Sequence, residues 1–247
     1  LICTKRELFK EIAQFYDPLG LLTPFSILLR KIFQDVWKLK NVIKWDDAVP
    51  LDILNEYTRL WNDSKKEIHI EIPRSLFSYD CYGTNSKRIT LHIFSDASAF
   101  AYGTAAYLCI HTNNVFESVL LASKSRLAPI SNNSLTIPRL ELMAALLSAR
   151  LYTQIKESFL HLIIINQTTF WSDSRTVLQW IRNKKLTLTT FVQNRIREIR
   201  YKTQGLTWRY CPTNENPADI PSRGMLLSDI KQCELWWKGP QFMQLPE

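Results

Sequence analysis

Four carboxylates stand where apolar stretches begin or end: Asp96, Glu141, Asp173 and Asp219. Asp96 closes the run I-T-L-H-I-F-S-D at 89–96, Glu141 follows Pro138 in the first turns of a long apolar-periodic segment, Asp173 closes F-W-S-D at 170–173, and Asp219 lies just after a short alternating run. Their separations are 45, 32 and 46 residues, so only a folded sheet brings them together. An acid beside a buried stretch is costly unless it is paired, hydrated or bound to a cation. Clustered carboxylates without histidine or cysteine partners suit hard, oxygen-seeking ions, chiefly Mg²⁺ or Mn²⁺. Two such ions about 4 Å apart suit in-line attack at phosphate. Taken singly, each acid also has a plain structural reading. Asp173 before Ser174 fits a helix N-cap, Asp96 in F-S-D-A-S a turn cap, Glu141 a complement to the helix dipole, and Asp219 in N-P-A-D an Asx-type turn. The signal lies in the set, in the order D, E, D, D.

A second constellation is cationic. The chain carries 31 Lys and Arg against 23 Asp and Glu, a net charge of +8. Residues 1–80 hold 12 of each sign, whereas Ser174 to Arg209 holds nine basic residues and one acid, Glu198. A basic stretch of this density points to a polyanionic partner. Candidate phosphate contacts are Arg175, Arg182, Lys184, Lys185, Arg195 and Arg200. Ile196 and Ile199 must face a sheet, which turns most of these charges outward. A merely solubilising surface is the alternative.

The elements that position these residues follow from periodicity. Leu8, Ile12 and Phe15 recur at helical spacing until Asp17-Pro18-Leu19-Gly20 makes a turn. Thr23-Pro24 reads as an N-cap with proline at N1, opening a helix with Phe25, Leu28, Leu29, Ile32, Phe33 and Val36 on one face. A third helix is expected from about Leu51 to Trp61, then a half-buried strand with Ile68, Ile70 and Ile72, and a linker over 74–88. Residues 89–96, 101–110 and 115–123 read as a β-meander with a turn at His111-Thr112-Asn113-Asn114. A long helix from near Ile137, a strand ending at Asp173, two helices and a last strand with Leu206, Trp208 and Tyr210 follow. The order β-β-β-α-β-α-α-β predicts an α/β fold: a mixed five-stranded sheet with flanking helices, preceded by a mainly helical segment.

Composition bounds the class. At 247 residues with 46% apolar and 22% charged side chains, the chain has the makeup of a globular protein of one or two domains, which excludes a peptide hormone, a disulfide mini-scaffold and a disordered tail. Five scattered cysteines (Cys3, Cys81, Cys109, Cys211, Cys233), none in a C-x-x-C pair, read as reduced thiols of an intracellular compartment. The longest uncharged run, 97–116, is too polar to insert into a membrane. The chain opens on Leu1, which suggests a piece of a longer polypeptide. The eight tryptophans, Trp171, Trp180 and Trp208 among them, are expected in the core.

With F-S-D-A-S at 94–98, I-P-R-L-E-L at 137–142, F-W-S-D-S at 170–174 and N-P-A-D-I-P-S-R-G at 216–224, residues 89–224 resemble a type 1 ribonuclease H domain. More narrowly, F-Y-D-P-L-G-L-L-T-P at 15–24, V-L-Q-W-I at 177–181, F-V-Q-N-R-I at 191–196 and L-W-W-K-G-P at 235–240 resemble the Pol polyprotein of BEL/Pao long-terminal-repeat retrotransposons. The resemblance implies that residues 1–73 are a reverse transcriptase thumb and connection-like segment, 74–88 a linker, 89–227 the ribonuclease H-like domain and 228–247 a C-terminal extension. It implies an upstream polymerase and a downstream integrase in the same polyprotein, and a cytoplasmic site in virus-like particles. It further implies two Mg²⁺ (or Mn²⁺) ions and hydrolysis of the RNA strand of an RNA·DNA hybrid, leaving a 3′-hydroxyl and a 5′-phosphate. Asp96 would bridge both ions, Asp219 would help hold the ion that activates water, and Glu141 and Asp173 would hold the other.

One departure from that pattern stands out. Many ribonucleases H carry a mobile histidine in the loop before the last acid, whereas His69, His92, His111 and His161 all lie far upstream and Tyr210 or Cys211 takes the nearest place. Leaving-group protonation or product release would then be slower. Two rival functions follow from the same residues. One is a catalytically inactive, nucleic-acid-gripping remnant. The other is an aspartic peptidase, a label sometimes given to this region of such elements. D-A-S at 96–98 and D-S-R at 173–175 lack the glycine that a D-T/S-G turn needs for close backbone approach.

Overall fold

The structure is a computed structural model that describes residues 4–39, 42–66, 69–72, 75–77, 87–112, 116–130, 135–159 and 163–244. Three helices come first, α1 (Lys5–Ala13), α2 (Thr23–Lys38) and α3 (Leu51–Ser64). Strands β1 (Arg88–Ala97), β2 (Ala101–His111) and β3 (Phe116–Leu127) follow, then α4 (Ile137–Phe159), β4 (Gln167–Ser172), α5 (Arg175–Arg182), α6 (Thr190–Lys202) and β5 (Thr207–Tyr210). Three short helices follow, α7 (Asp219–Arg223), α8 (Leu227–Gln232) and α9 (Glu234–Lys238), and then a 3-10 turn at Gln241–Gln244.

The five strands form one sheet in the order β3-β2-β1-β4-β5. The meander is antiparallel, while β4 and β5 run parallel to β1, each reached through helices. This is the mixed sheet expected from the sequence. Its strands alternate between two covered faces, so β1 is buried from Ile89 to Ala97, including its polar residues Thr90, His92, Ser95 and Asp96. Leu91, Ile93, Leu108, Phe170 and Trp208 pack under α4, α5 and α6 with Leu142, Ala145 and Ile196. Phe94, Tyr107, Cys109 and Trp171 face the other way, into a core shared with Phe25 and Ile32 of α2 and with Ile230, Trp236 and Met243 near the C-terminus. The N-terminal helices and the C-terminal residues therefore close the second face of the sheet together.

Local chemistry fixes how α2 enters. Its N-cap is Leu22, not Thr23, and no side chain caps it directly. Instead Asp17 accepts from the N–H groups of Leu21 and Leu22 at 2.9 and 2.8 Å, so the D-P-L-G turn takes over the capping. Ser123 of β3 then holds the turn, its N–H donating to the Leu19 carbonyl at 2.9 Å and its hydroxyl to that of Gly20 at 2.6 Å.

Some expectations change. Residues 69–72 form no strand and Ile72 is exposed, while Ile68 lies outside the described residues. Helix α1 stops at Ala13, short of Phe15. Most of the 74–88 linker lies outside the described residues, but Phe77 is buried in the core beneath α4. Cys109 and Cys211 are buried free thiols and Cys233 is free, whereas Cys3 and Cys81 lie outside the described residues. Among the described residues no helix is long and apolar enough to cross a membrane.

Candidate active site

The chain leaves β1 toward β2 and β3 on one side and returns to β4 on the other. The ends of β1 and β4 therefore flank the point where strand order reverses, the usual place for a site in a sheet of this kind. Ser95 and Ser172 are ladder partners, so Asp96 and Asp173, the next residues along, emerge side by side on neighbouring parallel strands. Glu141 projects from α4, which packs on β1 and β2. Asp219 opens α7, which packs on the same two strands.

A hydroxyl side chain holds three of the acids and a guanidinium the fourth. The Ser222 hydroxyl donates to Asp96 Oδ2 at 2.6 Å, Ser174 to Glu141 Oε2 at 2.6 Å, and Thr213 to Asp173 Oδ2 at 2.9 Å. Arg223 Nε donates to Asp219 Oδ1, which among the described residues is the one salt bridge to any of the four. The plain structural roles open to each acid are not the ones it fills. Ser174, not Asp173, is the N-cap of α5. The turn after β1 is capped by Ser98, which accepts from Phe100 and Ala101. Glu141 lies beyond the first turn of α4. The Asx role belongs to Asn216, whose Oδ1 accepts from the Ala218 N–H while Nδ2 donates to the Ser95 carbonyl at 3.1 Å.

Three of these carboxyls respond to the charge of their neighbours. Burial pushes Asp96 up to about 7, with the charges of Asp173 and Asp219 adding and Ser222 opposing. Glu141 is raised by burial, with Asp173 adding, and Asp173 by burial, with Asp219 adding. Asp173 Oδ1 is buried with no hydrogen-bond partner among the described residues. Among the described residues, no three His, Cys, Asp or Glu side chains close onto one point as an assembled ion cage does. An orphaned buried carboxylate oxygen, an all-oxygen donor set and raised proton affinity fit Mg²⁺ or Mn²⁺ at Asp96, Glu141, Asp173 and Asp219.

The loop from β5 to Asp219 lies within the described residues and holds no histidine. Of its two nearest candidates, Cys211 is buried and its thiol is pushed up to about 12 by burial, with Glu215 and Asp173 adding. It stays protonated at neutral pH. Tyr210 is exposed, with the Arg175 guanidinium 5.2 Å from its ring centre. His92 is buried on the sheet, accepting from the Trp171 indole at 3.1 Å, and His161 lies outside the described residues.

The six cations separate into two kinds. Arg200 donates to the carbonyls of Trp180, Ile181 and Asn183 at 2.8 to 3.1 Å, closing the C-terminal end of α5, and Arg182 donates to the Trp208 carbonyl. Arg195 stacks on Phe191 at 3.4 Å and donates to the Phe191 carbonyl at 2.9 Å. Those three brace the fold. Arg182 is nonetheless exposed, as are Arg175, Lys184 and Lys185.

Sequence reasoning passed over the acid-holding donors Ser174, Thr213, Ser222 and Arg223. Ser174, Ser222 and Arg223 stand inside the motif strings, but only the folded arrangement distinguishes them from ordinary polar neighbours.

A model of the Pao retrotransposon-like RNaseH-like domain family matches residues 4–174, more than half of the chain. Among solved structures, the chain is similar to the N-terminal RNase H domain of Rv2228c from Mycobacterium tuberculosis, solved as a maltose-binding-protein fusion, at 10% identity and TM-score 0.37, covering 60% of this chain and 95% of that one. LC11-RNase H1 in complex with an RNA/DNA hybrid matches at 13% identity and TM-score 0.30, over 53% of this chain and 91% of that one. The foamy viral protease-reverse transcriptase in complex with an RNA/DNA hybrid matches at 14% identity and TM-score 0.41, over 84% of this chain and 27% of that one. No curated protein matches the chain.

Proposed function

The chain belongs to the Pao retrotransposon-like RNaseH-like domain family, and from that premise we propose that it hydrolyses the RNA strand of RNA·DNA hybrids in a divalent-cation-dependent reaction. What supports the reading is that Asp96 and Asp173 emerge side by side from the ladder partners Ser95 and Ser172, that Asp219 raises both and Asp173 raises Glu141, and that among the described residues Asp173 Oδ1 is buried without a hydrogen-bond partner. Asp96, Glu141, Asp173 and Asp219 would hold Mg²⁺ or Mn²⁺, two ions in the full reaction. Bound there, such ions lower the pKa of the attacking water and offset charge growing on the phosphate. Arg175, Lys184 and Lys185, exposed on the basic side, would meet phosphates of the hybrid. Cys211, protonated and buried, supplies no nucleophile.

In the wider element, residues 1–73 would be the thumb and connection-like segment, 74–88 a linker, 89–227 the nuclease domain and 228–247 an extension. The polymerase would stand upstream and the integrase downstream in one polyprotein, working within cytoplasmic particles.

The adjacency of Asp96 and Asp173 also meets one requirement of a peptidase dyad. Neither stands in a glycine turn, and Glu141 and Asp219 add negative charge that a proton-sharing pair does not use. The test is cleavage of a hybrid labelled on its RNA strand by wild type and by Asp173→Asn. Loss of cleavage with hybrid binding retained supports the reading. Binding without cleavage by wild type supports the inactive remnant, and peptide hydrolysis blocked by a peptidase transition-state analogue supports the peptidase.

A further inference from the structure

A carboxylate crowded by like charges has to be held in place. Ser222 is fully buried, and its hydroxyl has two acceptors in reach, Asp96 Oδ2 at 2.6 Å and the Asp219 carbonyl at 3.0 Å. A hydroxyl has one proton to give, and the shorter, charge-assisted bond to Asp96 takes it when that acid is ionised. The serine itself is fixed from outside the site. Its carbonyl accepts from Ser98 Oγ at 2.6 Å. The neighbouring Pro221 lies against Gly103, the ladder partner of Asp96, where a Cβ would stand 3.0 Å from the proline ring.

We propose that Ser222 is a positioning residue of the acid site: its hydroxyl fixes the Asp96 carboxylate through Oδ2, so that Oδ1 is the oxygen presented to a divalent cation. The proposal rests on the cation-dependent reading above. It makes α7 a device with two functions, since the same five-residue helix carries Asp219 at its first position and Ser222 at its fourth. Removing an outer hydrogen bond of this kind from a ligating group typically costs about 10–100-fold in metal affinity.

The experiment uses the full chain and Mn²⁺ as the probe, with bound and free ion separated by electron paramagnetic resonance. Ser222→Thr keeps the hydroxyl, Ser222→Val is the near-isostere of that threonine without one, and Ser222→Ala removes the hydroxyl without adding bulk. Thermal melting confirms which variants fold. The expected result is Mn²⁺ binding about 10–100-fold weaker in the folded hydroxyl-free variants than in wild type and Ser222→Thr. The Mg²⁺ concentration for half-maximal hybrid cleavage should rise in parallel. A folded hydroxyl-free variant that binds Mn²⁺ as wild type does overturns the proposal. If wild type itself neither binds Mn²⁺ nor cleaves hybrid, it is the nuclease reading that falls.

Discussion

At the ends of β1 and β4, four acids are held by single hydroxyl or guanidinium groups, and three of them have raised proton affinity. On the sheet face closed by the N-terminal helices and the C-terminal residues, rings interlock instead. Phe94 stacks on Trp171 at 5.9 Å and meets Tyr107 edge-on, and the Trp236 indole donates to the Leu21 carbonyl at 2.9 Å. The first region stores electrostatic tension that a ligand can release. The second uses apolar area to hold the sheet rigid. They meet at α7, where Met225 N–H, just beyond the helix, donates to the Pro24 carbonyl of α2 at 3.0 Å. Substitutions in the two regions should therefore separate: stability falls on the apolar face, activity at the acid edge, and both at their junction.

The largest stability effect belongs to the apolar face. Trp236 is fully buried, and Trp236→Ala should cost about 3–5 kcal/mol, read from chemical denaturation. A cost below about 1 kcal/mol would mean that the C-terminal residues are a detachable extension, and the comparison between the two regions would fail.

At the acid edge the sign is opposite. Asp96 stands at about 7 in the folded protein against an ordinary 3.8. Between those values the folded state keeps a proton that the unfolded state has released. This contribution to stability is full below the ordinary value and disappears as pH rises through the folded value. Glu141 and Asp173 are raised in the same direction. For an isolated carboxyl the effect would be on the order of 4 kcal/mol, here shared among coupled acids. The metal-free protein should melt higher at about pH 6 than at about pH 8, Mn²⁺ should recover the difference, and Asp96→Asn should flatten the profile. A flat profile in wild type would remove the tension assigned to this edge.

The junction should give an intermediate effect. Gly224 has φ +82°, and an added Cβ would stand 2.3 Å from Leu28 Cδ2 and 3.3 Å from the Pro24 carbonyl. Gly224→Ala should cost about 1–3 kcal/mol. Because it pushes α7 from α2, it should also reduce cleavage at temperatures where the protein stays folded. Unchanged activity in the folded variant would show the two regions to be independent.

The smallest effect is expected on the basic side. Lys184, Lys185 and Arg182 are exposed, and Arg182 also donates to the Trp208 carbonyl. Changing the two lysines to Ala should flatten the slope of log K against log[salt] for hybrid binding by roughly 0.7–0.9 for each phosphate no longer neutralised, with turnover at saturating hybrid unchanged. An unchanged slope would make them a solubilising surface.

The legible parts of the molecule were those with a period. The meander, the long helix α4 and the placement of Asp96 and Asp173 at strand ends follow from alternation and from the position of acids against apolar runs. Periodicity was silent where structure is made by residues distant in sequence. Ile70 and Ile72 alternate like a strand, but residues 69–72 have none, and only the neighbouring elements decide whether a backbone finds a ladder. The short helices α7, α8 and α9 have too few turns to show a pattern, though Trp236 anchors them. Arg182, Arg195 and Arg200 are visible in sequence by their charge, while the carbonyls to which they also donate are not. Ser174 and Asp173 are adjacent, and which one caps α5 depends on the strand-end geometry that turns Asp173 toward Thr213.

The most direct measurement of the central claim is cleavage of an RNA·DNA hybrid by the purified chain in Mg²⁺, with the RNA strand labelled at one end and the reaction repeated in excess chelator. RNA fragments ending in 3′-hydroxyl, with 5′-phosphate on the downstream product, should appear in Mg²⁺ and be absent with chelator and with Asp173→Asn. Cleavage that persists in chelator, or at wild-type rate in Asp173→Asn, would contradict the account.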